Sequence, residues 1–164
     1  MSMFCFQCQE AAGGKGCTEK GVCGKESPLA NQMDLLMYAV RGIALVNREL
    51  RKKGTPDPNA DRTMVDFLFS PITNANFDVN ASRQRITEAF AIRDRLVDMA
   101  RKREIYLPER DEIGFMAAPD EYELAGEKVG VLSVSHEDVR SLKELATYGI
   151  KGAAAYTEHA LNLG

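Results

Sequence analysis

From Leu29 onward, apolar side chains return every three or four positions: Leu29, Met33, Leu36, Met37, Val40, Ile43, Ala44 and Leu50. That period marks one face of an α-helix. Ser27-Pro28 supplies its start, with Ser as N-cap and Pro at the first helical position. Arg51-Lys52-Lys53 suits the negative end of the helix dipole, and Gly54 followed by Pro56 stops the helix. A shorter helix is predicted from about Ala60 to Phe69, burying Met64, Phe67 and Leu68 and closed by Pro71. Asp78 then caps a third, whose inward face is Ile86, Ala89, Phe90, Leu96, Val97 and Ala100 and whose end is Arg101-Lys102-Arg103. Three helices with short links over 27–104 predict a three-helix bundle. Apolar stripes of this kind form cores far more often than cofactor sites.

The pattern breaks over 105–128. Pro108 and Pro119 flank an acidic stretch from Glu109 to Glu123, read as solvated surface with one helical turn near 120–126. Val129-Gly130-Val131-Leu132-Ser133-Val134 is short, apolar and partly β-branched, which predicts an extended segment or edge strand. Ser135-His136-Glu137-Asp138 resembles a capping box, and a long helix follows to about Leu161. The expected organisation is a cysteine-rich loop over 1–26, the bundle over 27–104, a linker over 105–135 and a long helix over 136–164. That last helix aligns with the first. Set against Asp34–Leu50, Glu144–Ala160 matches Leu35 with Leu145, Tyr38 with Tyr148, Gly42 with Gly152 and Ala44 with Ala154. Asp34 with Glu144 and Arg41 with Lys151 are conservative pairs. Glycine inside a helix costs roughly 1 kcal/mol relative to Ala, so a matched pair asks for a packing reason. The last helix is therefore read as the opening of a second bundle, with an unfinished apolar stripe through Val139, Leu142, Ala146, Gly149, Ile150, Ala153 and Tyr156. Such a patch favours self-association, and a dimer is expected.

Composition narrows the function. The chain has 164 residues, 45% of them hydrophobic, which suffices for a real core. Its net charge of −3 argues against a general nucleic-acid binder. No apolar run approaches the roughly 18 residues that span a bilayer. The opening Met1-Ser2-Met3-Phe4-Cys5 has neither a basic nor an apolar leader region, so a cytoplasmic protein with no membrane partner is expected. His136 and His159 stand about 35 Å apart on one helix and cannot share a metal.

All four cysteines fall in the first 23 residues, as C-x2-C-x8-C-x5-C: Cys5, Cys8, Cys17 and Cys23. Gly13, Gly14, Gly16 and Gly21 lie between them and Gly24 just after, giving the backbone the freedom to aim several sulfurs at one point. Three chemistries use such a set. Two disulfides would staple a small cap, which a reducing compartment disfavours. Four thiolates would suit a structural zinc ion in a non-redox, helical interaction domain, although zinc ribbons usually carry two short C-x2-C knuckles. An iron–sulfur cluster is larger, tolerates uneven spacing and benefits from free backbone amides around its sulfides.

The string MFCFQCQEAAGGKGCTEKGVCGK at 3–25 resembles the amino terminus of the hybrid-cluster proteins, also called prismane proteins or hydroxylamine reductases. The similarity continues through DLLMYAVRGIA at 34–44, ITNANFD at 72–78 and EDVRSLKELATYGIKGAAAYTEHA at 137–160, so it covers nearly the whole chain in order. The resemblance implies a mainly α-helical fold in which Cys5, Cys8, Cys17 and Cys23 ligate a cubane [4Fe–4S] cluster. A branch of the family with wider spacing holds a [2Fe–2S] cluster, and the spacing here matches the cubane branch. The family's catalytic centre is a hybrid iron–sulfur–oxygen cluster held by His, Glu and Cys residues of later domains. No cysteine follows Cys23, so those ligands are missing and no catalytic residue is assigned. The resemblance thus implies an electron-transfer domain of an oxidoreductase that converts hydroxylamine to ammonia and water, with nitric oxide reduction as an associated activity. It also implies two partners, a redox donor and the remaining domains of the parent protein. The 164 residues alone are expected to be inactive.

Overall fold

The computed structural model describes residues 3–5, 8, 11–72 and 77–163. Most of the ITNANFD string, residues 73–76, lies outside them. Among the described residues the chain forms six α-helices and no strand. They are α1 (Ser27–Lys52), α2 (Pro58–Phe69), α3 (Val79–Lys102), the single turn α4 (Asp111–Gly114), α5 (Tyr122–Val129) and α6 (Glu137–Leu163). No helix of the described residues is long and apolar enough to cross a membrane.

α1 is the axis of the core. Its Leu35, Ile43, Val46 and Leu50 are wholly buried against Ala60 and Phe67 of α2 and Ile86, Ala89, Leu96 and Ala100 of α3. Each such aliphatic or aromatic side chain contributes roughly 1.5–3 kcal/mol by leaving water. The three helices anticipated from the hydrophobic period share this one core, and α5 joins it. Tyr122 sets its ring edge-on to Phe90, 6.0 Å between centroids, and its hydroxyl lies 3.0 Å from that of Thr87.

The helix ends follow from local chemistry. Asp78 caps α3, its carboxylate accepting from the Asn80 and Ala81 N–H groups. Asp57 does the same for α2, which starts at Pro58, two residues before the expected Ala60. The α1–α2 turn is locked by buried Asn47, which donates to the Asp57 carbonyl and the Asp61 carboxylate and accepts the Asp57 N–H at 2.8 Å. Ser27 does not cap α1: it lies inside the helix, Glu26 holds the N-cap position, and no side chain caps it.

The linker is more ordered than a solvated surface. Arg93, 1% exposed, donates to the carbonyls of Glu112 and Phe115 and to Asp94, and lies over the Phe90 ring at 4.8 Å. It straps the segment carrying α4 across α1, where the Glu112 carbonyl would stand 2.3 Å from a Cβ at Gly42. The predicted extended segment or edge strand at Val129–Val134 is corrected. Val129 ends α5, and Val131–Ser133 is a 3-10 turn closed by the Ser133 N–H on the Gly130 carbonyl at 2.9 Å. Among the described residues there is no second strand to accept its hydrogen bonds, so the turn satisfies them locally. The cap of α6 is also displaced by one residue. The Arg140 N–H donates to the His136 carbonyl and the Val139 N–H faces His136 Nδ1, leaving Ser135 outside.

α6 presents an unusual distribution. Its inward stripe is Glu144, Thr147, Lys151, Ala154 and Glu158, mostly polar. Its large apolar residues face out, with Leu142, Leu145, Tyr148, Ile150 and Tyr156 each more than half exposed. α6 docks chiefly on α2, where Glu158 pairs with Arg62 at 3.0 Å and the exposed His159 meets Phe69 edge-on at 5.7 Å.

Candidate metal centre

The cysteine loop folds back on itself through one pair of backbone bonds. The Cys5 N–H donates to the Cys17 carbonyl at 3.0 Å and the Cys17 N–H to the Cys5 carbonyl at 2.7 Å. This bridge sets the two residues opposite each other across an antiparallel pair. Gly16, immediately before, has φ 134°, a conformation L side chains rarely adopt, and a Cβ there would lie 2.7 Å from the Phe4 ring. The turn therefore requires glycine. Met3, Cys17 and Ala30 form a small second core that pins the loop to the start of α1. A further turn, from the Gly21 N–H to the Lys25 carbonyl at 2.7 Å, presents Cys23, whose Sγ would stand 3.1 Å from a Cβ at Gly21.

None of the four cysteines is in a disulfide, so the two-disulfide arrangement is not adopted. Cys17 is buried, Cys5 and Cys8 are half-buried and Cys23 is exposed. The structure brings Cys5 and Cys17 together through their backbones. It does not draw the set to one point: among the described residues no three Cys, His, Asp or Glu side chains are placed to hold a single metal ion. The donor set still fits a thiolate-bound centre. It offers four soft sulfur ligands on one short loop, with one cysteine sunk in the core and one at the surface. His136, just before α6, and His159, on α6, are both exposed.

Beside the loop lies a charged group that periodicity did not reveal. Lys25 is 1% and Lys151 4% exposed. Asp34, on α1, lies under the Gly130–Val131 turn, and its carboxylate accepts the Val131 N–H at 3.4 Å. Burial pushes the Asp34 carboxyl up to about 7, against the opposing pull of that N–H, Lys151 and Arg41. Burial likewise lowers the Lys151 ammonium from its ordinary value, while Asp34, Glu144 and Cys5 act to raise it. Cys8 shares a cleft of about 380 Å³ with Ser141, Glu144, Leu145 and Tyr148 of α6. The largest concavity, about 960 Å³ and lined by Tyr38, Arg110, Phe115 and Lys128, contains no cysteine.

Comparison with known proteins places these features in a family. The Prismane/CO dehydrogenase family model matches residues 3–164, and the chain belongs to that family. Among curated proteins it is 50% identical to a hydroxylamine reductase of Bacteroides thetaiotaomicron over its full length, covering 30% of that protein. It is 46% identical to a hydroxylamine reductase of Porphyromonas gingivalis, with 99% of this chain and 30% of that protein aligned. It is 44% identical to one of Clostridium botulinum, covering 33% of it. The chain thus spans about a third of the length of these relatives.

Proposed function

We propose that the chain is the electron-transfer portion of a hydroxylamine reductase, with Cys5, Cys8, Cys17 and Cys23 holding one [4Fe–4S] cluster. The observation that carries this reading is the loop itself: four cysteines outside any disulfide on one short loop, two of them set opposite each other by the Cys5–Cys17 bridge, in a chain of the prismane family. Cytoplasm is the compartment in which such thiols stay reduced. Bound there, the cluster would supply one-electron storage at a potential set by its surroundings. The protein's part is to hold and shield it. Cys17 fixes one side in the core with Met3 and Ala30, and Cys23 with exposed Val22 leaves the opposite side open to a redox donor. Electrons would pass on to a hybrid cluster in the rest of the protein, where NH₂OH + 2 e⁻ + 2 H⁺ gives NH₃ + H₂O; nitric oxide is a second candidate substrate. Four thiolates would saturate such a cluster and leave no position for substrate, so multiple turnovers of hydroxylamine by this chain are not expected.

Anaerobic purification tests the reading. Brown protein with iron and sulfide in near-equal amounts is expected, and Cys17→Ala should bleach it. Stoichiometric zinc without sulfide would overturn the proposal in favour of a zinc-stapled interaction domain.

A further inference from the structure

One stripe of α6 lies along the cysteine loop. Ser141, Glu144, Leu145 and Tyr148 share the cleft with Cys8, and Lys151 follows at the next three-residue step, close enough to Cys5 for the two to act on each other's charge. Lys25 approaches from the loop: its Cβ and the Cys23 sulfur both crowd the Cβ position of Gly21, at 3.2 and 3.1 Å. Two ammonium groups are therefore withdrawn from water in one small region, and each also acts on the other. Burying a cation is costly unless an anion compensates it.

Among the described residues, the carboxylates placed against Lys151 compensate it only in part. Lys151 faces Asp34 on α1 and Glu144 on its own helix. Glu144 is shared with Arg41, 3.9 Å away. Asp34 is itself held toward its neutral form by burial. Among the described residues, buried Lys151 thus has two acids, one a weak counter-ion and the other shared with Arg41. The region calls for a further buried negative charge, and the cysteines are the groups that border it. A four-thiolate iron–sulfur centre carries net negative charge, which rises by one on reduction.

We infer that Lys151, supported by Lys25, is a built-in counter-charge to the cysteine-held centre, a positioning residue on α6 that raises the centre's reduction potential through space. The inference rests on the cluster function proposed above. A fixed positive charge beside the centre stabilises the added electron, and Glu144 on the same stripe works in the opposite direction.

An EPR-monitored redox titration of the anaerobically purified protein tests this. The relevant signal is the one that Cys17→Ala removes. Lys151→Met is expected to shift its potential to more negative values, Lys151→Arg to restore it, and Glu144→Gln to shift it to more positive values. Lys102→Met, at the exposed end of α3, is expected to leave it unchanged. Opposite signs for the two α6 variants distinguish charge from packing, since loosening the loop would move both the same way. Glu144→Gln decides the matter alone where Lys151→Met does not fold. Shifts of the same sign, or unmoved potentials in a protein that holds the cluster, overturn this inference alone. Wild-type protein without iron and sulfide overturns the cluster function, and this inference with it.

Discussion

At the scale of single residues, Asp34 links the interior to pH. Its carboxyl is raised from an ordinary value near 4 to about 7, and the cause is burial under the Gly130–Val131 turn. Between those values the folded state binds the proton that the unfolded state has released. Stability therefore falls as pH rises from about 4 to about 7 and is level above that. At about 1.4 kcal/mol per tenfold change in proton activity, the loss is on the order of 4 kcal/mol. Asp34→Asn should flatten this slope, with the larger gain at neutral pH. Denaturant curves at pH 4.5 and 7.5 check it, and parallel slopes in the two proteins would show that the carboxyl is not enclosed. The four cysteines were legible in the sequence because their density has no bland explanation. Asp34, Lys25 and Lys151 were not. A lysine in a helical sequence reads as surface, and only the docking of α6 against α1 and the Gly130–Val131 turn withdraws Lys151 from water. Arg93 was hidden for the same reason, since its carbonyl partners lie about twenty residues further on.

At the scale of elements, the match between α1 and α6 gains physical content. In the aligned helices Asp34 corresponds to Glu144 and Arg41 to Lys151. In the structure Arg41 faces Glu144 and Asp34 faces Lys151, so each residue meets the counterpart of the other. Reciprocal contacts of this kind are what a two-fold axis between equivalent helices produces. The paired glycines differ. A Cβ at Gly42 would collide with the Glu112 carbonyl, whereas one at Gly152 meets nothing within 4 Å. In this chain Gly42→Ala should cost about 1–3 kcal/mol through overpacking. Gly152→Ala should be neutral or stabilising by up to about 1 kcal/mol through helix propensity. Thermal unfolding of both variants checks the contrast; equal losses would mean that Gly152 has a partner after all. Helix periods and the Asp78 cap could be read in advance because they are local. The Val129–Val134 turn could not, because its apolar composition suits a strand and only the absence of a neighbouring strand decides against it.

At the scale of the whole molecule, α6 turns its polar stripe inward and its apolar residues outward. Leu145 is 70% and Tyr156 80% exposed on this face. We expect the isolated chain to self-associate through it, with Leu142→Glu/Tyr156→Lys restoring the monomer. Light scattering across a concentration series checks this, and a strict monomer at high concentration would count against an adhesive face.

The same helix separates two events in time. Roughly 130 residues of synthesis lie between Cys23 and Lys151, which at about 5–20 residues per second is on the order of six to twenty-six seconds. Throughout that interval Cys8 has no α6 beside it and Lys25 stands without Lys151, while Cys17 can already pack with Ala30 of α1. A metal carrier that arrives early meets open sulfurs and a loop free to adjust around its load. One that arrives late must work past Leu145 and Tyr148. For the cluster site proposed above, the order of translation thus makes α6 a cover that is laid down after the loop.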